Sequence, residues 1–171
     1  MIFVKRAKHL SKCFISIIVA MGSALIPINT SSGATTTSTF QVTATVASSC
    51  TVTATSLAFG NYTLTQLDSF STITATCTNG TTYTIGLDAG TFSSATTTTR
   101  RMMGPSTFGL SYSLFSDSGR TANWGNATGS WVSGTGNGAA QVLTVYGRIP
   151  ANQNASIGSY TDTVTVTVTF K

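Results

Sequence analysis

The chain contains no glutamate, and its one histidine, His9, stands among the first residues. Prolines and cysteines number three each, and only 8% of the side chains are charged. Each scarcity excludes a chemistry. Beyond position 9 no imidazole is left for a Ser–His–Asp or Cys–His relay or for a histidine-based zinc site. Cys13, Cys50 and Cys77 are too widely spaced for a CxxC redox or zinc pair. A glycosidase would need two of Asp68, Asp88, Asp117 and Asp162 in one cleft. Asp88, Asp117 and Asp68 fall instead at turn-type positions, where aspartate bonds local backbone. Loop Asp and Asn oxygens suit calcium, but no spacing here resembles a loop with several carboxylates, so the turn role is favoured. The expectation is a protein that is not an enzyme and that holds no metal or cofactor.

Four of the nine basic residues, Lys5, Arg6, Lys8 and Lys12, precede an apolar run from position 13 to about 28, followed by the small residues Ser32-Gly33-Ala34. That is the pattern of a secretory signal peptide over residues 1–34. The run is broken by Ser16, Gly22, Ser23 and Pro27 and is too short for a spanning helix, so a membrane anchor is discarded. Cys13 is preceded by Lys12, which a lipid-attachment site does not accept. Beyond the leader, Arg100, Arg101, Arg120, Arg148 and Lys171 oppose four aspartates, a net of +1. The high isoelectric point is therefore an export signal, and nucleic acid is not an expected partner. Cys50 and Cys77 then remain, and two cysteines in an exported chain are expected to form one disulfide, which would stabilise the fold by roughly 3–4 kcal/mol.

What is abundant is threonine in alternation. Val164, Val166, Val168 and Phe170 fall on one side of an extended chain, with Thr163, Thr165, Thr167 and Thr169 on the other. This period of two, with no Pro or Gly inside, is a strong strand signal. Phe40, Val42, Ala44 and Val46 repeat it near the other end. Between them, strands are expected at 50–55, 57–62, 70–77, 82–87, 108–115 and 142–149. The Asn79-Gly80 turn favours a hairpin joining two of these. No helical period appears, so the fold expected is an all-β sandwich. Arg100-Arg101 reads as a solvated loop tip. Tyr112, Tyr146, Trp124 and Trp131 would suit an aromatic sugar platform, although alternation favours packing for the two tyrosines.

The order Cys50-Thr-Val52, Leu57-Ala-Phe59-Gly60-Asn-Tyr62, Cys77-Thr-Asn-Gly80 and Tyr83-Thr-Ile85-Gly-Leu87-Asp88-Ala-Gly90 resembles the spore coat protein U domain family. Arg101-Met102, residues 110–117, Trp124-Gly125, Tyr146-Gly147-Arg148-Ile149-Pro150 and Gly158-Ser-Tyr160-Thr-Asp162 extend the likeness over the remainder. That family includes Csu-type subunits of archaic chaperone–usher pili. The resemblance implies an immunoglobulin-like pilin sandwich lacking its last strand. A periplasmic chaperone would lend that strand until the N-terminal extension of the next subunit replaces it. It also implies an outer-membrane usher, other copies or related subunits as partners, and passage through the periplasm to the cell surface.

On this reading, residues 35–47 are a donor extension carrying Phe40, Val42, Ala44 and Val46, and residues 48–171 are the sandwich. Gly158, Val164, Val166, Val168 and Phe170 would belong to the strand that meets chaperone or donor. Pilus subunits handled by such chaperones are similar in having an aromatic next to last and a glycine fourteenth from the end, here Phe170 and Gly158. The function implied is a structural pilus subunit that polymerises by strand donation and aids adhesion and biofilm formation. The alternatives are a spore or surface coat protein folding as a monomer, and a β-sandwich carbohydrate-binding module.

Overall fold

A computed structural model describes residues 32–105 and 107–171. All but the last three residues of the expected leader lie outside the described residues. By its internal contacts the chain divides into residues 1–42 and 43–171. In the first unit, the described residues 32–42 carry no strand, and Phe40 and Val42 are 87% and 81% exposed. Residues 43–49 of the second unit are likewise outside any strand, with Ala44 and Val46 exposed. The strand expected over residues 40–46 is therefore not formed, because among the described residues no ladder partner meets that backbone. The second unit first ties this segment down at Ala47 and Ser49, whose carbonyls accept from the Thr78 hydroxyl and N–H.

The described residues of the second unit form nine strands and no helix. They are β1 (Cys50–Ala54), β2 (Leu67–Cys77), β3 (Thr82–Leu87), β4 (Arg101–Met102), β5 (Leu110–Ser111), β6 (Ser113–Phe115), β7 (Val132–Thr135), β8 (Ala140–Ile149) and β9 (Val166–Phe170). All pairings are antiparallel, in sheets ordered β1-β2-β8-β6, β7-β3-β9 and β4-β5. Alternation explains the layering. In β2, Ile73, Ala75 and Cys77 are buried while Thr72, Thr74 and Thr76 look outward. In β3, Tyr83, Ile85 and Leu87 are buried from the opposite sheet. Each large side chain enclosed this way contributes about 1.5–3 kcal/mol.

Three expectations are corrected here. The Asn79-Gly80 turn does form, with Gly80 at φ 85°, but β2 and β3 do not pair. Both must bury an apolar face in one core, so the turn carries the chain from one sheet to the other. The run at 108–115 is split at Tyr112, whose N–H donates to Arg100 O while β5 pairs with β4 and β6 with β8. Residues 57–62 form no strand, yet Leu57 and Phe59 pack on the core. They close against Gly147, where a Cβ would lie 2.7 Å from the Phe59 ring.

Arg100 is the largest departure from the expected loop tip: it is fully buried. Its guanidinium donates to the carbonyls of Asp88, Thr97, Leu87 and Trp124 at 2.7–3.0 Å. One side chain thus satisfies four backbone acceptors where three irregular segments meet the core, and its enclosure pushes the guanidinium pKa down. Asp68 is also not a turn residue but lies within β2. Cys50 and Cys77 are bonded, joining β1 to β2 at directly opposed positions.

Candidate functional site

Of the strands that end the two larger sheets, β1 and β9 face each other. β1 pairs only with β2, and β9 only with β3. Thr165 O accepts from Asp88 N–H and Lys171 N–H donates to Thr82 O, so the odd-numbered residues of this segment bond toward β3. Antiparallel alternation then turns the N–H and C=O groups of Val164, Val166, Val168 and Phe170 toward the open edge. On the facing side, the bonds of Ser49 and Thr55 to β2 leave the same groups of Cys50, Val52 and Ala54 at the edge of β1. β1 and β9 lie next to each other without a shared ladder.

Beyond the end of β1 the walls part around a cavity of about 480 Å³. One wall is Ala54 to Leu57 with Phe59, and the other is Tyr160 to Val164 with Val166. The floor is apolar, made by Ile73, Leu87, Leu114 and Val145, with the Tyr112 ring among them. Val52, Leu57, Phe59, Val164, Val166 and Val168 pack against the core but are only half-buried. Phe170 is 39% exposed. Along this line half-buried apolar side chains and unpaired backbone groups coincide. Such an edge is a template for another strand.

The Tyr160–Val166 wall is held from behind. Met103 and Thr161 exchange backbone hydrogen bonds of 2.8 and 2.9 Å. Thr165 N–H donates to Asp88 Oδ1 at 2.9 Å, as does Gly90 N–H at 3.0 Å. Burial opposes the Asp88 charge, but the bonds from Thr165 and Gly90 prevail and hold its pKa below the ordinary carboxylate range. Asp162 Oδ1 accepts from Thr163 N–H and from both the N–H and the hydroxyl of Thr91, each at 2.8 Å. Its other oxygen takes the Tyr112 hydroxyl at 2.6 Å. Burial first, and this bond second, push the Tyr112 phenol well above its usual range.

Of the residues expected to matter, Val164, Val166, Val168 and Phe170 stand together at the open edge. Gly158 lies beyond them in a turn at φ 145°, and a Cβ there would run into the Pro105 ring. That close approach is itself a reason for glycine. Ala44 and Val46 are exposed and unpaired. The four aromatics weighed as a sugar platform do not gather: Tyr112 and Trp124 are buried, Tyr146 is on the outer face of β8, and Trp131 precedes β7. Sequence reasoning missed the opposite wall, Leu57 and Phe59, and the Tyr112–Asp162 brace. Nothing local marks a pair fifty residues apart.

Residues 36–167 match the Spore Coat Protein U domain family. Over 86 residues the chain is 41% identical to Protein U of Myxococcus xanthus, which covers 50% of this chain and 48% of that protein. The fold is similar, with a TM-score of 0.57 and 25% identity, to the crystal structure of a chaperone–tip adhesion subunit pre-assembly complex. That complex comes from the archaic chaperone–usher Csu pili of Acinetobacter baumannii, and the likeness covers 72% of this chain and 40% of the matched chain. The chain therefore spans about half the length of the curated relative and less than half of that solved chain.

Proposed function

The chain belongs to the spore coat protein U domain family, and from that premise we propose that it is a structural subunit of a chaperone–usher surface pilus. The observation that carries this reading is the groove between β1 and β9, whose two edges lack a ladder and whose apolar walls are only half-buried. Its complement is residues 35–47 of a neighbouring copy, with Phe40, Val42, Ala44 and Val46 on one face of an exposed stretch that belongs to no strand. The family match begins at residue 36 and so includes this extension.

Seating one strand between the two edges would pair backbone groups on both sides and fix register, while each large side chain enclosed adds about 1.5–3 kcal/mol. An open groove of this kind invites aggregation, so a periplasmic chaperone occupies it until an outer-membrane usher exchanges it for the next subunit's extension. The chain is exported, passes through the periplasm and ends at the cell surface, where the polymer serves adhesion and biofilm formation. Its role is structural and not catalytic. The test is fibre formation by the full chain expressed with its chaperone and usher. Phe40→Asp with Val42→Asp should yield exported, chaperone-bound subunits but no fibres under the electron microscope; normal fibres would exclude this donor.

The description of the family as a spore coat protein domain supports a second reading, a coat component that folds as a monomer. Such a chain would be stable without a chaperone.

A further inference from the structure

The outer face of the β1-β2-β8-β6 sheet carries an arrangement that strand donation does not use. Phe70 of β2 stands directly opposite Tyr146 of β8, and Tyr146 directly opposite Phe115 of β6. Phe115 is in turn bridged to Asn123. Directly opposed residues share a face, so three aromatic side chains and one amide form a straight lane across the strands, roughly 10 Å from Phe70 to Phe115 at normal strand spacing. Phe70 is 68% exposed.

Two residues along the strands, a second lane is polar: Asp68 opposes Arg148. The Arg148 guanidinium grips both Asp68 oxygens, at 2.8 and 2.9 Å. Two residues to the other side, Thr72 opposes Thr144. An aromatic lane is thus flanked on both sides by hydrogen-bonding lanes, each about 7 Å away along the strand. Arg120 packs against one side of the lane and also lies 3.6 Å from Asp68 Oδ1. Arg120 donates to the carbonyls of Gly147, Ser118 and Ser69 and lies 5.6 Å from the centre of the Tyr146 ring.

We propose that this face binds an extended, neutral, β-linked polysaccharide laid along the Phe70–Tyr146–Phe115 lane. A flat pyranose ribbon has apolar ring faces to stack on aromatics and a fringe of hydroxyls at both edges. Those hydroxyls both donate and accept, matching Arg148 and Asp68 on one side and the threonines on the other. The two arginine forks are already engaged by Asp68 and by backbone carbonyls, so no free cation selects an anionic ligand. The face lies on the far side of its sheet from the core and groove, so binding does not depend on whether the chain polymerises. In a polymer it would be repeated in every subunit and act through avidity.

The test is saturable binding of the exported full chain to microcrystalline cellulose and to soluble xyloglucan, with dextran as a flexible α-linked control. Binding to both β-linked probes and not to dextran is expected. Phe70→Ala and Tyr146→Ala should each weaken it about tenfold, and Ile157→Ala, a fully exposed residue outside this face, should not. Phe70→Ala decides the matter alone if Tyr146→Ala lowers the melting temperature. The proposal fails if neither β-linked probe binds saturably or if binding survives Phe70→Ala. It fails equally if that substitution changes self-association in place of sugar binding, which would make the face a contact between copies.

Discussion

The Tyr112 hydroxyl donates a 2.6 Å hydrogen bond to Asp162 Oδ2, and through that bond the floor of the groove holds its wall. Tyr112→Phe keeps the ring and removes the donor. One oxygen of a carboxylate at the groove then loses its protein partner, at a cost of about 1–3 kcal/mol. Thermal melting of the full chain should fall by several degrees while the disulfide and secondary structure persist. An unchanged melting temperature would mean that the brace contributes nothing.

Arg100 and Arg101 should part company sharply. Arg100→Met leaves four backbone carbonyls without their donor, those of Leu87 and Trp124 buried, and should cost about 3 kcal/mol or more, seen as lost soluble yield or a large drop in the urea midpoint. Arg101 stacks 5.7 Å from the centre of the Phe92 ring and donates to Phe108 O. Arg101→Ala should cost less than about 1 kcal/mol.

Stability should decline in acid through Asp88. Its folded pKa lies below the ordinary carboxylate value, because the bonds from Thr165 and Gly90 outweigh burial. The stabilisation is therefore present above the unfolded pKa, near 4, and is lost as pH falls through the lower folded value. Asp88→Asn keeps an acceptor for both N–H groups but removes the titration. Melting temperatures of the two proteins, followed from pH 7 downward, should converge in acid. Parallel curves would rule out Asp88 as a source of acid lability.

Removing both cysteines tests the cross-link. Cys50 and Cys77 are 27 residues apart in sequence and open the β1–β2 ladder. Cys50→Ser with Cys77→Ser should lower stability by about 3–4 kcal/mol on the chain-entropy account, read from the urea midpoint.

These residues also show how far sequence reasoning reaches. β2 and β9 were legible because apolar residues alternate with threonines, a local pattern set by the pleat. The disulfide followed from arithmetic on two cysteines. The assignment of β2 and β3 to different sheets was not legible, since Asn79-Gly80 makes the same turn whether the chain pairs back or crosses over. β7 was hidden because Val132-Ser-Gly134-Thr carries little apolar signal. Arg100 looked like a solvated tip because its four carbonyl partners are brought together only by tertiary structure. The alternation at residues 40–46 was read correctly as a pattern, but a pattern makes a strand only where an edge accepts it.

The central claim is that the sandwich lacks a strand which residues 35–47 supply to a neighbour. The most direct measurement compares two proteins exported to an oxidising compartment without a chaperone. One is residues 48–171 alone; the other carries residues 35–47 joined behind Lys171 through a flexible linker. The first should aggregate or be degraded, and the second should be a soluble monomer with a cooperative thermal transition. If residues 48–171 alone melt cooperatively as a monomer, the sandwich is complete as it stands and strand donation is wrong.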